Sequence, residues 1–177
     1  MKKLLFFYFL FSIFYFCPHI VLANYVLPYP SYMPGNIFYK VSRVADRIKS
    51  YWSWGNIAQI KYHLALSDKY LVEAKTLMDY RQYLLGVDAL RRSDEEFSAL
   101  PVIVQKATKE YGSVPAFQKQ IQDAALEHKD ILTGLAATVP ARFTWTPEKS
   151  ASIRLELGEE ITHALDIRQQ VSAAVSP

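Results

Sequence analysis

The chain has almost no cysteine and little glycine. Its one cysteine is Cys17, near the N-terminus, and only 6 of 177 residues are glycine. A glycine-rich phosphate loop, a Gly-x-Ser-x-Gly nucleophile motif and a haem-attachment pair of cysteines are all missing from the sequence. We therefore predict a protein that is not an enzyme and has no cofactor. The shortage of glycine also favours helices over strands.

The first 23 residues have the pattern of a secretory signal peptide. Lys2 and Lys3 precede an apolar run over residues 4–16, and Pro18 and a possible cleavage site at Ala23 follow. The run is shorter than the roughly 20 apolar residues that span a bilayer. We expect export through a cleaved leader to the periplasm, the cell surface or the medium, and the mature chain then has no cysteine. The alternative is a retained N-terminal membrane anchor.

The charges of the mature chain are nearly balanced. The whole chain has 20 Lys+Arg and 17 Asp+Glu. The leader contains two of the basic residues and no acid, which leaves 18 against 17. The basic isoelectric point is therefore no evidence for a nucleic-acid partner, and we predict none.

Apolar and small residues recur at steps of three and four along most of the mature chain, which predicts α-helices. The clearest helix covers residues 57–78, with Lys61, Asp68, Lys69 and Lys75 expected on its water-facing side. Other helices are predicted over residues 37–53, 82–111, 115–139 and 147–174. Pro101 should kink or split the third helix, and Thr146-Pro147-Glu148 is typical of a helix start.

This pattern predicts an all-α fold, a helical bundle of four long helices preceded by a short amphipathic helix. Residues 1–23 are the signal peptide, residues 24–35 a Pro/Tyr-rich linker, and residues 36–177 the bundle domain. Three linker tyrosines, Tyr25, Tyr29 and Tyr32, either pack along the bundle or contact a partner. A helical-repeat solenoid is the weaker alternative, because the segment 65–100 has no second copy at a fixed period.

Several stretches resemble an uncharacterised family of exported bacterial helical domains, which is known only as a domain of unknown function. The stretches are Leu27-Pro28-Tyr29-Pro30 with Met33-Pro34, Phe38-Tyr39-Lys40 with Ala45-Asp46-Arg47-Ile48, the helix pair 65–97, and His128 with Leu132, Leu135 and Val139-Pro140. The resemblance covers nearly all of the mature chain and implies export and an all-helical fold. It implies no activity and no catalytic residues.

A metal site is the alternative interpretation of the later helices. Glu160 and His163 have the Glu-x-x-His spacing of di-iron bundles, and His128 lies on an apolar stripe. Such bundles need a second Glu-x-x-His pair, which the sequence lacks. His128 is therefore expected to be a core histidine that donates to a carbonyl or a carboxylate. A metal- or small-molecule-binding bundle around these three residues remains the alternative function.

The first helix and the turn after it form the predicted binding surface. The helix has four basic residues and a single acid, Asp46. The residues proposed to bind a partner are Lys40, Arg43, Arg47, Lys49, Trp52 and Trp54. A basic side opposite an apolar side is typical of a helix on an anionic membrane surface or against an acidic protein. The other interpretation is that the apolar side packs on the bundle while the charges face water. Either way, we predict a binding or structural module, associated with the envelope or secreted.

Overall fold

Helices make up most of the chain. A computed structural model describes residues 25–30, 34, 37–149 and 151–176, so the predicted leader and Tyr32 lie outside the described residues. The helices are α1 (Ile37–Trp52), α2 (Asn56–Asp79), α3 (Tyr83–Ser98), α4 (Leu100–Tyr111), α5 (Pro115–Thr138) and α6 (Leu157–Ala174). The strands are β1 (Phe143–Trp145) and β2 (Ile153–Leu155). The predicted all-α helical bundle is confirmed.

The third predicted helix is split, as Pro101 suggested. Helix α3 ends at Ser98, and α4 begins at Leu100 with Pro101 in its first turn, where a missing amide hydrogen costs least. Helix α4 then stops at Gly112, which has a φ of 81°. A tight turn follows α2, and Arg81 occupies it with a φ of 60°.

The prediction of a helix from residue 147 is wrong, because a β-hairpin occupies residues 143–155. Strands β1 and β2 are antiparallel, with Phe143 opposite Leu155 and Trp145 opposite Ile153. The ring of Phe143 packs edge-on against Tyr83, with centroids 4.8 Å apart, and Leu155 is buried in the core. Pro147 therefore lies in the loop between the strands rather than in a first helical turn.

Helix α2 lies at the centre of the bundle and contacts α1, α3, α4 and α5. The apolar core forms two clusters. One includes Leu71, Leu90, Leu132 and Ile161, together with the hairpin; the other includes Leu64, Phe97, Ile121 and Val171. On each of α2, α3, α5 and α6, buried polar residues lie between the two clusters: Ser67 and Asp68, Ser93 and Asp94, His128, and Arg168. The core is thus two apolar layers separated by one polar layer.

Helix α3 approaches α2 closely at Gly86. A Cβ atom at this position would lie 2.8 Å from Cγ of Met78, which is itself buried. A glycine is therefore required by the approach of α3 to α2. Gly134 in α5 is the opposite case, because a Cβ there would meet nothing within 4 Å.

We expect Gly86→Ala to lower the free energy of unfolding by about 1–3 kcal/mol, because the added methyl group overpacks the crossing. Gly134→Ala is the matched control and should raise it by about 0.5–1 kcal/mol, since alanine is the better helix former. Urea unfolding of both variants measures the two effects. Equal stabilisation by both substitutions would contradict the close approach.

Candidate functional site

Helix α1 contacts the bundle through polar side chains. The hydroxyl of Tyr39 donates to Oε1 of Glu73 on α2 at 2.8 Å, and Arg92 of α3 donates to the Tyr39 oxygen at 3.1 Å. Arg43 also reaches the Tyr39 oxygen, at 3.5 Å, and lies over the ring of Tyr70, 5.6 Å from its centroid. These contacts fix the first half of α1 on α2 and α3.

The second half of α1 is held by Lys69 of α2. The ammonium group of Lys69 donates to Oγ of Ser42 at 2.9 Å and forms an ion pair with Asp46. The hydroxyl of Tyr62 donates to the backbone carbonyl of Asp46 at 2.9 Å. Asp46 is buried, with 8% of its surface exposed. The only acid of α1 therefore points inward and is paired with a cation.

The side of α1 away from the bundle is apolar and exposed. Between 52% and 61% of the surface is exposed for Phe38, Val41, Val44 and Ile48, and Ala45 between them is also exposed. We call these five residues the outer stripe. The interpretation in which the apolar side of α1 packs on the bundle is therefore wrong. Lys69 and Glu73 of α2 occupy the contact and require polar partners.

The structure separates the six residues of the predicted binding surface. Arg43 is half-buried between Tyr39 and Tyr70, so it belongs to the contact with the bundle and not to an outer surface. Lys49 is exposed, and Trp54 in the turn after α1 is 83% exposed. The side chains of Lys40, Arg47 and Trp52 lie outside the described structure.

The linker tyrosines behave differently from one another. Tyr25 is half-buried, packs against the second apolar cluster and donates its hydroxyl to Oδ2 of Asp68 at 2.5 Å. Burial and the neighbouring Asp68 carboxylate raise the pKa of Tyr25, so its hydroxyl keeps the proton that it donates. Tyr29 is exposed. The expectation that linker tyrosines pack on the bundle therefore holds for Tyr25.

Arg168 organises the buried polar layer. Its guanidinium forms an ion pair with Asp94, donates through Nη2 to Oγ of Ser93 at 2.7 Å, and donates through Nε to Nδ1 of His128 at 3.4 Å. The ring of Phe97 lies beside it, with the centroid 5.2 Å from the Arg168 Cζ. Ser93 in turn donates to the carbonyl of Ser67 at 2.8 Å. One side chain of α6 therefore connects α3 and α5 directly, and α2 through Ser93.

His128 and Asp68 form the other half of the layer. Nε2 of His128 lies 2.8 Å from Oδ1 of Asp68, and Nδ1 accepts from Arg168, so the neutral ring carries its proton on Nε2. The expected core histidine with a carboxylate partner is confirmed. Asp68 was predicted to face water, and this was wrong, because it accepts from both His128 and Tyr25.

Burial controls protonation in this layer. It lowers the pKa of His128, and the positive charge of Arg168 acts in the same direction while Asp68 opposes it. It raises the pKa of Asp94, which Arg168 partly offsets. At the contact with α1, burial likewise raises the pKa of Glu73, and the hydrogen bond from Tyr39 lowers it by a smaller amount. Oε2 of Glu73 is buried and has no hydrogen-bond partner among the described residues.

The residues of the alternative metal site are not brought together. Glu160 is bound by Arg91 of α3, with its Oε2 3.0 Å from Nε, while His163 is exposed. His128 is enclosed in the polar layer and contacts Asp68 and Arg168 instead. Within the described ranges, no group of three His, Cys, Asp or Glu side chains could hold a metal ion. The geometry therefore adds no support to that interpretation.

The chain matches no protein-family model, and neither the curated proteins nor the solved structures contain a significant match to it. The family resemblance of the sequence therefore stays a prediction. Over the residues that the structure describes, every helix is too short or too polar to cross a bilayer.

Arg168→Met should lower the free energy of unfolding by about 3–5 kcal/mol, because it leaves Asp94 buried without its cation. Arg142→Met is the matched control, since Arg142 pairs with Glu156 while its side chain is 70% exposed. Arg142→Met should lower the free energy of unfolding by at most about 1 kcal/mol, because the ion pair is exposed to solvent. Denaturant unfolding followed by circular dichroism measures both, and an equally mild effect of the two changes would contradict the role of Arg168.

The lowered pKa of His128 makes stability depend on pH. Between this pKa and the ordinary histidine value of 6.5, the unfolded chain binds the proton more readily than the folded chain. The contribution of neutral His128 to the free energy of unfolding is therefore fully present above pH 6.5. It is lost as the pH falls from 6.5 through the lowered pKa of the folded state. Glu73 and Asp94, whose raised pKa values favour protonation of the folded state, act in the opposite direction.

The urea midpoint of the parent should therefore fall more steeply on acidification below 6.5 than that of His128→Gln, which lacks the titrating ring but can still donate to Asp68. The difference in stability between parent and variant should shrink as the pH decreases. Leu126→Gln, which introduces a glutamine at an exposed position of the same helix and removes no titratable group, is the control and should keep the parent slope. If the urea midpoints of the parent and of His128→Gln change in parallel with pH, then His128 is not the source of the pH dependence.

Proposed function

We propose that this protein is an exported, non-enzymatic helical-bundle module that associates with the bacterial envelope through the outer stripe of α1. The observation that supports it is the orientation of α1. Its polar side is bound to α2 and α3, and its apolar side faces water. A surface helix of an ordinary globular domain has the opposite arrangement.

The exposed residues form a continuous surface rather than scattered positions. Single exposed apolar side chains are normal on protein surfaces. Here the outer stripe repeats at steps of three and four along α1, so its members are neighbours on one side of the helix. A contiguous apolar patch bordered by polar residues is characteristic of a protein or membrane contact.

The polar layer supports a structural role for the buried titratable groups. His128 is fully buried, and Asp68, Asp94 and Arg168 are each less than 10% exposed. Their hydrogen bonds go to one another, to Ser93, to Tyr25 and to the backbone carbonyl of Ala164. A general acid or base must reach a substrate, and these groups are satisfied within the core. The N-terminal leader is the support for export.

Fractionation of the native cells tests the proposal. The mature protein should be found with the envelope, and the triple variant Val41→Gln, Val44→Gln, Ile48→Gln should move to the soluble fraction. Glutamine keeps the helix propensity of these positions. Because these side chains face away from the bundle, the triple variant should retain the parent circular dichroism spectrum.

The control is Val102→Gln with Leu126→Gln, which removes exposed apolar side chains from α4 and α5 instead. This variant should remain with the envelope. A parent protein found entirely in the soluble fraction, or a triple variant that stays with the envelope, would overturn the proposal.

A further inference from the structure

The charges around the outer stripe are of one sign. By the helical repeat of 100° per residue, positions 40 and 49 of α1 flank the outer stripe on its two sides, and position 47 follows next to position 40. All three residues are basic in the sequence, and the side chain of Lys49 is exposed. The only acid of the helix, Asp46, lies on the inward side and is paired with Lys69. The charged residues at the helix positions that flank the apolar stripe are therefore all basic in the sequence, and the one acid of α1 is turned toward the bundle.

Two exposed aromatic residues lie at the turn that follows α1. Trp54 is 83% exposed in the turn after the helix. Tyr111 of α4, also exposed, is close to the same turn, since its hydroxyl would lie 3.9 Å from a Cβ atom on Gly55. Tryptophan and tyrosine are enriched where a membrane meets water, because one part of the side chain is apolar and the other polar.

We infer that the partner of the outer stripe is an anionic lipid bilayer, on which α1 lies parallel to the surface with its stripe among the upper acyl chains. This rests on the proposed function and names the partner of the same surface. Lys40, Arg47 and Lys49 are then at the level of the headgroup phosphates, and Trp54 and Tyr111 lie at the interface. An apolar stripe with basic borders is the arrangement of interfacial helices.

The same residues fit a protein partner or a second copy less well. The centres of protein interfaces are enriched in aromatic residues and depleted of lysine. Most of the stripe is aliphatic, and lysine and arginine border it. Two copies of α1 face to face would bring together two helices that each have four basic residues and one acid. Like charges in such a contact oppose association.

Flotation of the purified mature protein with lipid vesicles tests the inference. We expect binding to vesicles that contain phosphatidylglycerol and much weaker binding to vesicles of phosphatidylcholine alone. Binding should decrease at high salt, because counterions screen the charges. Lys40→Gln, Arg47→Gln, Lys49→Gln should weaken binding by about 100-fold, since each basic residue near an anionic surface contributes about fivefold.

Arg43 is left unchanged in this variant because it holds α1 on the bundle. The matched control is Lys106→Gln, Lys129→Gln, Lys149→Gln, which removes the same charge from exposed positions elsewhere. Its binding should stay within a few-fold of the parent. The variant Val41→Gln, Val44→Gln, Ile48→Gln should also lose binding, because the stripe has to enter the acyl region.

Three results would overturn the inference. The first is a parent that does not bind anionic vesicles; if it is still found with the envelope in cells through α1, the proposed function stands and the partner is a protein. The second is equal vesicle binding by the parent and either α1 variant. The third is a parent that is dimeric by analytical ultracentrifugation while the stripe variant is monomeric, which would identify a second copy as the partner.

Discussion

The arrangement of the bundle depends on the buried guanidinium of Arg168. An arginine presents its donors in a rigid planar fork, so its partners must lie at fixed positions. Here Nη1 is bound by Asp94, Nη2 by Ser93 and Nε by His128. These contacts fix the position of α3 and α5 along the axis of α6. An apolar layer would tolerate small displacements of one helix along another. Ser93 and Asp68 extend the same constraint to α2.

The linker joins this network at Tyr25. Its hydroxyl supplies the second hydrogen bond of Asp68, and its ring packs on the apolar cluster below the polar layer. Tyr25 lies two residues after the predicted cleavage site at Ala23. The start of the described chain is therefore part of the packed structure, in agreement with the prediction that linker tyrosines pack along the bundle.

Periodicity predicted the helices well, but it did not predict their polar partners. The steps of three and four identified α2 and α5 and placed His128 on the core side, where a core histidine was expected to donate to a carbonyl or a carboxylate. They also placed Asp68 and Lys69 in water, because polar residues usually occupy the exposed side of a helix. Both residues are paired with side chains more than 20 residues away in sequence, which no local pattern contains. The hairpin was missed for a similar reason. Thr146-Pro147-Glu148 resembles a helix start, and the core contacts of Phe143, such as the ring of Tyr83 on α3, are made by residues far away in sequence.

Helix α1 shows why an amphipathic pattern does not determine which side of a helix is buried. The pattern correctly divided α1 into an apolar and a polar side, but the choice between them depends on the surface that receives the helix. Helix α2 presents Lys69 and Glu73 there, and both would be costly to cover with valine or isoleucine. The polar side of α1 pairs Asp46 with Lys69 and donates from Tyr39 to Oε1 of Glu73. The bundle thus uses the polar half of α1 for its own packing, and the apolar half remains available for an environment outside the protein.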